Sequence, residues 1–130
     1  MKESNVQADV LLAVGSDSKN KIFRNNTGTG WTGNKVIRKG RLTIIEDARP
    51  LNAGLCVGSS DLIGFSSVIV TPEMVGTRVA IFTAIETKRT KGGKASPEQD
   101  KFIKIVNANG GFAGVARNAA EALSILKPKS

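Results

Sequence analysis

The sequence predicts an α/β domain in which a mixed central β-sheet is flanked by helices. Two observations carry this. Short β-rich runs alternate with segments whose apolar residues recur at helical spacing, in the order helix, strand, glycine-rich loop, strands, helix, strand, helix. The 130 residues contain no internal repeat and no linker-like stretch. Residues 1–130 are therefore read as one domain, long enough to bury a core without disulfides or structural metal.

The first helix is expected over residues 4–14. Val6, Val10, Leu11 and Val14 fall on one face, Ser4 and Gln7 have the spacing of a capping box, and Gly15 closes the segment. Glu3 stands at its start, where the helix dipole favours a carboxylate. Residues 21–25 read as a short strand that runs into Asn26-Thr27-Gly28-Thr29-Gly30-Trp31-Thr32-Gly33-Asn34, a glycine-rich loop with the single tryptophan. Its backbone N–H groups can approach a phosphate, with Arg24 and Trp31 placed for backbone and base. An ordinary loop with one anchoring aromatic is the competing reading. No P-loop lysine is present, so no nucleotide cofactor is expected.

Lys35, Arg38, Lys39 and Arg41 form the densest basic cluster before the central motif, a solvated face or a phosphate track. Residues 42–45 read as a strand ending at Glu46-Asp47. Those two acids rank as a rival metal site, but adjacent strand positions face opposite ways. Residues 49–54 read as a loop.

Residues 58–64 and 79–88 are two β-rich runs joined through a turn-like stretch at residues 71–76, and the rest of the chain is organised around them. Paired as antiparallel neighbours about a fold-back near Glu73 and Met74, they set Asp61 opposite Glu86. Glu86 and Lys88, at i and i+2, point the same way. Two carboxylates held that close need compensation. A hard divalent cation supplies it, taking Asp61, Glu86 and the Thr87 carbonyl along with water and phosphate oxygens, and leaves Lys88 for the phosphate or the attacking water. The plainer reading makes Glu86 and Lys88 a solvated strand end and Asp61 a turn cap. Against it, the run before Glu86 is apolar on both faces (Val79, Ile81 and Ile85 against Ala80, Phe82 and Ala84), as in a central strand.

Residues 89–95 are basic and flexible in composition. Arg89, Lys91 and Lys94 can each add a phosphate contact, steepening the salt dependence on duplex DNA by roughly 0.9 log unit apiece. Ser96, Pro97 and Gln99 occupy the cap, first-turn and capping-box positions of a helix whose buried stripe is Phe102, Ile103 and Val106. Gly110-Gly111 ends it, and residues 112–116 read as a strand. Asn118 caps a last helix with Glu121 three residues on; Leu123 and Leu126 anchor it and Pro128 stops it.

Composition narrows the chemistry. Nineteen Lys and Arg against eleven Asp and Glu leave a net charge of +8, which favours a polyanionic partner, nucleic acid first. The absence of histidine removes hydrolase triads, HEXXH metalloproteases and nucleases with a histidine base. Carboxylate, lysine and metal chemistry remain. The single cysteine, Cys56, reads as a small buried apolar residue. With no secretory apolar region and no apolar run near 18 residues, the chain is expected to be cytoplasmic, of phage or bacterial type, neither secreted nor membrane-bound.

The blocks Gly58-Ser59-Ser60-Asp61-Leu62-Ile63-Gly64, Ala84-Ile85-Glu86-Thr87-Lys88, Ser96-Pro97-Glu98-Gln99 and Gly110-Gly111-Phe112-Ala113-Gly114-Val115, in this order, resemble the virus-type replication-repair nuclease (VRR-NUC) domain, a branch of the PD-(D/E)XK nuclease superfamily. The resemblance runs from Glu3 to about Glu121. It implies a restriction-endonuclease-like core and a metal-dependent endonuclease: Asp61 and Glu86, supported by Glu3, hold one or two Mg²⁺ or Mn²⁺ ions. Lys88 positions water or neutralises the transition state, and Gln99 faces the site. It further implies structure-specific cleavage of branched DNA such as four-way junctions, with a 5′-phosphate product, by a homodimer. Two other classes stand beside it. One is a non-catalytic basic nucleic-acid-binding module in which Asp61 and Glu86 merely cap turns; the other is a phosphoesterase acting on a small phosphorylated molecule, which leaves the +8 charge without a purpose.

Overall fold

The computed structural model describes residues 2–128. Among them are helices α1 (Glu3–Gly15), α2 (Pro97–Ala108) and α3 (Ala119–Ile125) and a 3₁₀ turn at Pro72–Met74. The strands are β1 (Asn20–Arg24), β2 (Gly28–Thr32), β3 (Lys35–Lys39), β4 (Leu42–Glu46), β5 (Arg49–Ala53), β6 (Leu62–Ser66), β7 (Thr83–Thr87) and β8 (Phe112–Ala116). The mixed α/β composition agrees with the sequence. The expected single central sheet does not form among the described residues: strands pair two by two, β1 with β6, β2 with β5, β3 with β4 and β7 with β8. The chain divides into two units. The first runs to Asp17 and again from Lys21 to Gly64; the second comprises Ser18–Asn20 and the residues from Phe65 on.

In the first unit, α1 begins one residue earlier than expected. Its N-cap is Lys2, without a side-chain cap, so Ser4 and Gln7 form no capping box. Gln7 instead accepts from Arg24 Nη1 at 3.0 Å. The apolar face is only partly covered, with Val6 46% and Val10 39% exposed. The glycine-rich stretch and residues 49–54, both read as loops, are strands. β2 and β5 pair antiparallel from Gly28↔Ala53 to Thr32↔Arg49, and β3 and β4 from Lys35↔Glu46 to Lys39↔Leu42, in the same register. The result is one long β-ribbon interrupted around Gly33 and Asp47. Ladder hydrogen bonds satisfy backbone groups that a phosphate-cradling loop would have kept free, and that outweighs the low strand propensity of glycine. The hairpin closes at Gly40, whose φ of 62° suits the first central position of a type II′ turn. At the interruption, Asn34 N–H donates to Glu46 O at 3.0 Å, and a Cβ on Gly33 would collide with that same carbonyl.

The second unit holds the core. Strand β7, helix α2 and strand β8 form a βαβ unit with β7 and β8 parallel, from Thr83↔Phe112 to Thr87↔Ala116. The expected antiparallel pairing of residues 58–64 with 79–88 is therefore corrected: β6 pairs with β1, and β7 takes β8. A helix between two strands carries the chain back to the starting end, so the strands run parallel. Residues 79–82 lie outside the strand, with Val79 52% and Ile81 43% exposed, and among the described residues β7 has one ladder partner rather than a central position. Among the described residues the buried apolar ones are Val106 on α2 and Ala113 and Ala116 on β8. Of the expected α2 stripe, Val106 is buried and Ile103 half-buried, while Phe102 stays 39% exposed.

The open edge of β8 is covered by Asn107, whose Nδ2 donates to Ala113 O at 3.0 Å and whose Oδ1 accepts from Ala113 N–H at 3.1 Å. On α3 the expected anchors Leu123 and Leu126 are exposed, and Ile125 packs over Gly114 instead. At the 3₁₀ turn, Glu73 is held below the ordinary carboxylate value by hydrogen bonds from its own backbone and then from Thr71.

Candidate active site

Strand β7 alternates, so Ala84, Glu86 and Lys88 turn to the half-buried side and Thr83, Ile85 and Thr87 to the exposed one. Glu86 Oε1 and Lys88 Nζ form an ion pair at 3.1 Å with side chains 31% and 20% exposed. Gln99, on the first turn of α2, joins both. Its Nε2 donates to Glu86 Oε1 at 2.8 Å, and its Oε1 accepts from Lys88 Nζ at 3.1 Å. The same Oε1 accepts from Ser96 N–H at 2.8 Å, and Gln99 N–H donates to Ser96 Oγ at 3.1 Å, completing a capping box.

Gln99 therefore makes both the cap contacts and the site contacts. Two donors converge on its Oε1, which sets the amide orientation and aims Nε2 at Glu86. An ammonium has three donors, and Glu86 and Gln99 take two, leaving one N–H of Lys88 for a ligand. All contacts to the Glu86 carboxylate fall on Oε1; among the described residues no hydrogen bond is made to Oε2. Glu86 and Gln99 border a cleft of about 380 Å³ lined also by Ala84, Ile85, Glu98, Phe102 and Ile103. Glu98, not singled out from the sequence, adds a second acid to it; its one signal was its place in the cap motif beside Gln99.

Thr87, Asp61 and Glu3 make none of these contacts. Thr87 ends β7, exposed. Asp61 belongs to the first unit, exposed just before β6, with its carbonyl accepting from Asn25 N–H at 2.8 Å. Asn25 organises that turn: its Nδ2 donates to Ser59 Oγ at 2.7 Å and Ser60 O at 2.9 Å, and its Oδ1 accepts from Leu55 N–H at 3.0 Å. Sequence reading passed over it as the end of a strand. Cys56, expected to be buried, is exposed, because this turn leaves it outside any packed layer. Glu3 sits exposed in the first turn of α1. Among the described residues no group of three or more His, Cys, Asp or Glu side chains is placed to share a metal ion.

The basic residues divide similarly. On the β3–β4 hairpin, Lys35 and Lys39 face one side and Arg38 the other, so alternation splits the expected phosphate track. Arg24 is tied to Gln7. Arg89, Lys91 and Lys94 are all exposed on the segment following Lys88. That segment, read as flexible, is held by the Arg117 guanidinium through the carbonyls of Arg89, Gly92 and Gly93, each at 2.7 Å. Among the described residues no helix is long and apolar enough to cross a membrane.

Fold and site together define a mixed α/β domain with a carboxylate, ammonium and amide locked at the end of a parallel strand, followed by a cationic segment. The chain belongs to the VRR-NUC family: the model of the VRR-NUC domain matches residues 33–120. A VRR-NUC domain is a nuclease-type domain, so the chain's function is of the nuclease type. The match takes in Asp61, Glu86, Thr87, Lys88 and Gln99 and excludes Glu3 and Arg24, a shorter span than the resemblance read from the sequence. No curated protein and no solved structure matches the chain.

Proposed function

We propose that the chain is a metal-dependent DNA endonuclease with a PD-(D/E)XK-type core, acting on branched DNA such as four-way junctions, as a homodimer. The observation that carries the reading is the closed Glu86–Lys88–Gln99 constellation, inside the family match, with Glu86 and Gln99 lining a cleft. The donor chemistry at Glu86 suits a hard cation, since one carboxylate oxygen is committed to Lys88 and Gln99 and the other is free of hydrogen bonds among the described residues. Within the second unit, Glu86 and the Thr87 carbonyl would hold Mg²⁺ or Mn²⁺; Asp61 and Glu3, both on the first unit, are the further carboxylates that the family resemblance implies. When bound, such an ion supplies Lewis-acid charge at the scissile phosphate and acidifies a bound water.

The chain's own residues do the rest. Gln99 and Glu86 hold the Lys88 ammonium in one place, so its remaining N–H meets the charge developing on a phosphate oxygen without reorganising. The cations at Arg89, Lys91 and Lys94 hold the backbone of the strand being cut.

The test is cleavage of labelled four-way junction, flap and linear duplex DNA with Mg²⁺ or Mn²⁺. Lys88→Ala is expected to lower kcat by about 10²–10³-fold, and Asp61→Ala to abolish cutting. Binding without cutting under either metal, in the wild type, would replace this reading with the non-catalytic binding module. Failure to bind any polynucleotide would favour a small phosphorylated substrate.

A further inference from the structure

The residues after Lys88 form a short, strongly cationic loop, and one guanidinium closes it. Arg117, the residue following β8, donates from Nη1 to the carbonyls of Arg89 and Gly92 and from Nη2 to that of Gly93, all at 2.7 Å. The backbone from which it projects is fixed on both sides. Lys88 N–H donates to Ala116 O at 3.1 Å, carrying the β7–β8 pairing one residue further. Arg117 N–H donates to Glu121 Oε2 at 2.6 Å, while Glu121 N–H donates to Asn118 Oδ1 at 2.8 Å in the cap of α3. Gly92 and Gly93, with φ of 74° and 76°, adopt the left-handed backbone that lets the chain turn here. The three acceptors are neutral carbonyls, so Arg117 adds its charge to the loop instead of having it cancelled by an acid.

We propose that Arg117 is a positioning residue for nucleic-acid binding: it holds the loop so that Arg89, Lys91 and Lys94 form a ready-made edge for a phosphate backbone immediately after Lys88. Side chains of all three are exposed and so available to a ligand. A glycine-containing loop left free would lose conformational entropy on binding, and a clamp made before binding removes that cost from the affinity. The inference rests on the nuclease reading only in taking a polynucleotide as the ligand.

The test uses the full chain as wild type, Arg117→Ala and Arg117→Lys, with circular dichroism as the check on folding. Three quantities are read: tryptic cleavage within the loop, the salt dependence of binding to a labelled duplex, and the separate changes in KM and kcat. Arg117→Ala is expected to be cut in the loop about tenfold faster, with the salt slope reduced by roughly 0.9 for each phosphate that the loop no longer neutralises and KM raised more than kcat falls. Arg117→Lys, which keeps the charge but cannot bridge three carbonyls, falls between; it carries the test should the alanine variant fail to fold. Lys91→Ala weakens binding in the wild type and adds little in the Arg117→Ala background, because a released loop no longer presents Lys91. Unchanged loop cleavage and salt slope in both Arg117 variants, or an equal effect of Lys91→Ala in both backgrounds, overturns the clamp. A wild type that binds no DNA overturns the nuclease reading and the loop's assigned ligand, while the tryptic pattern still decides whether Arg117 holds the loop.

Discussion

Gln99 concentrates the chemistry of the site in one side chain. Its carbonyl oxygen serves the helix cap and Lys88 together, and its amide nitrogen is left with Glu86. The two roles separate by mutation. Ser96→Ala removes the cap hydroxyl and is expected to cost about 1 kcal/mol in urea unfolding while keeping most of the cleavage activity, because the hydrogen bonds to Glu86 and Lys88 remain. Gln99→Ala should show a comparable loss of stability together with a fall in activity of roughly 10–100-fold, as for other residues that orient a reacting group. Equal activity in the two variants would show that Gln99 only caps the helix. Asn25 has the same character on the first unit, locking the backbone that bears Asp61 through both its amide oxygen and its nitrogen.

At the scale of elements, α3 can lie on β8 because Gly114 has no side chain. A Cβ there would come 2.9 Å from Ile125 Cδ1 and 3.0 Å from its Cγ1. Gly114→Ala is expected to destabilise by about 1–3 kcal/mol, and Ile125→Val, which removes the Cδ1 methyl, should recover part of that loss. Urea unfolding of the single and double variants checks it; strictly additive effects would mean the two residues do not touch. The ribbon of β2 to β5 behaves differently, since its apolar residues stay largely exposed, Trp31 at 63% and Leu42 at 65%. Its stability comes mainly from ladder hydrogen bonds and the turn at Gly40.

For the whole molecule, burial is unevenly distributed. Among the described residues Val106, Ala113 and Ala116 are the buried apolar ones, and all lie in the βαβ part of the second unit. Amide hydrogen exchange should therefore be slowest in β7, β8 and the middle of α2 and faster through α1 and the ribbon, because opening a segment with little buried surface costs less. Uniform protection across both units would contradict this distribution. The net charge of +8 acts at the same scale, and any polynucleotide binding should weaken steeply as salt is raised.

The sequence by itself determined several local features, though not the cap of α1, where Ser4 and Gln7 form no capping box. The Ser96–Gln99 cap, the bounds of β8, the Asn118 cap and the shared side of Glu86 and Lys88 follow from rules that span two to four residues, and all are present. The family was legible in four short motifs for the same reason. Only the tertiary structure decided which strands pair, since a ladder partner depends on residues far apart in the chain. That is why β7 lies parallel to β8, why the glycine-rich stretch is a strand opposite residues 49–53, and why Arg117 reaches back to the loop after Lys88. An arginine after a strand carries no local signal of the carbonyls it will meet, because those of Arg89, Gly92 and Gly93 lie 28, 25 and 24 residues back along the chain.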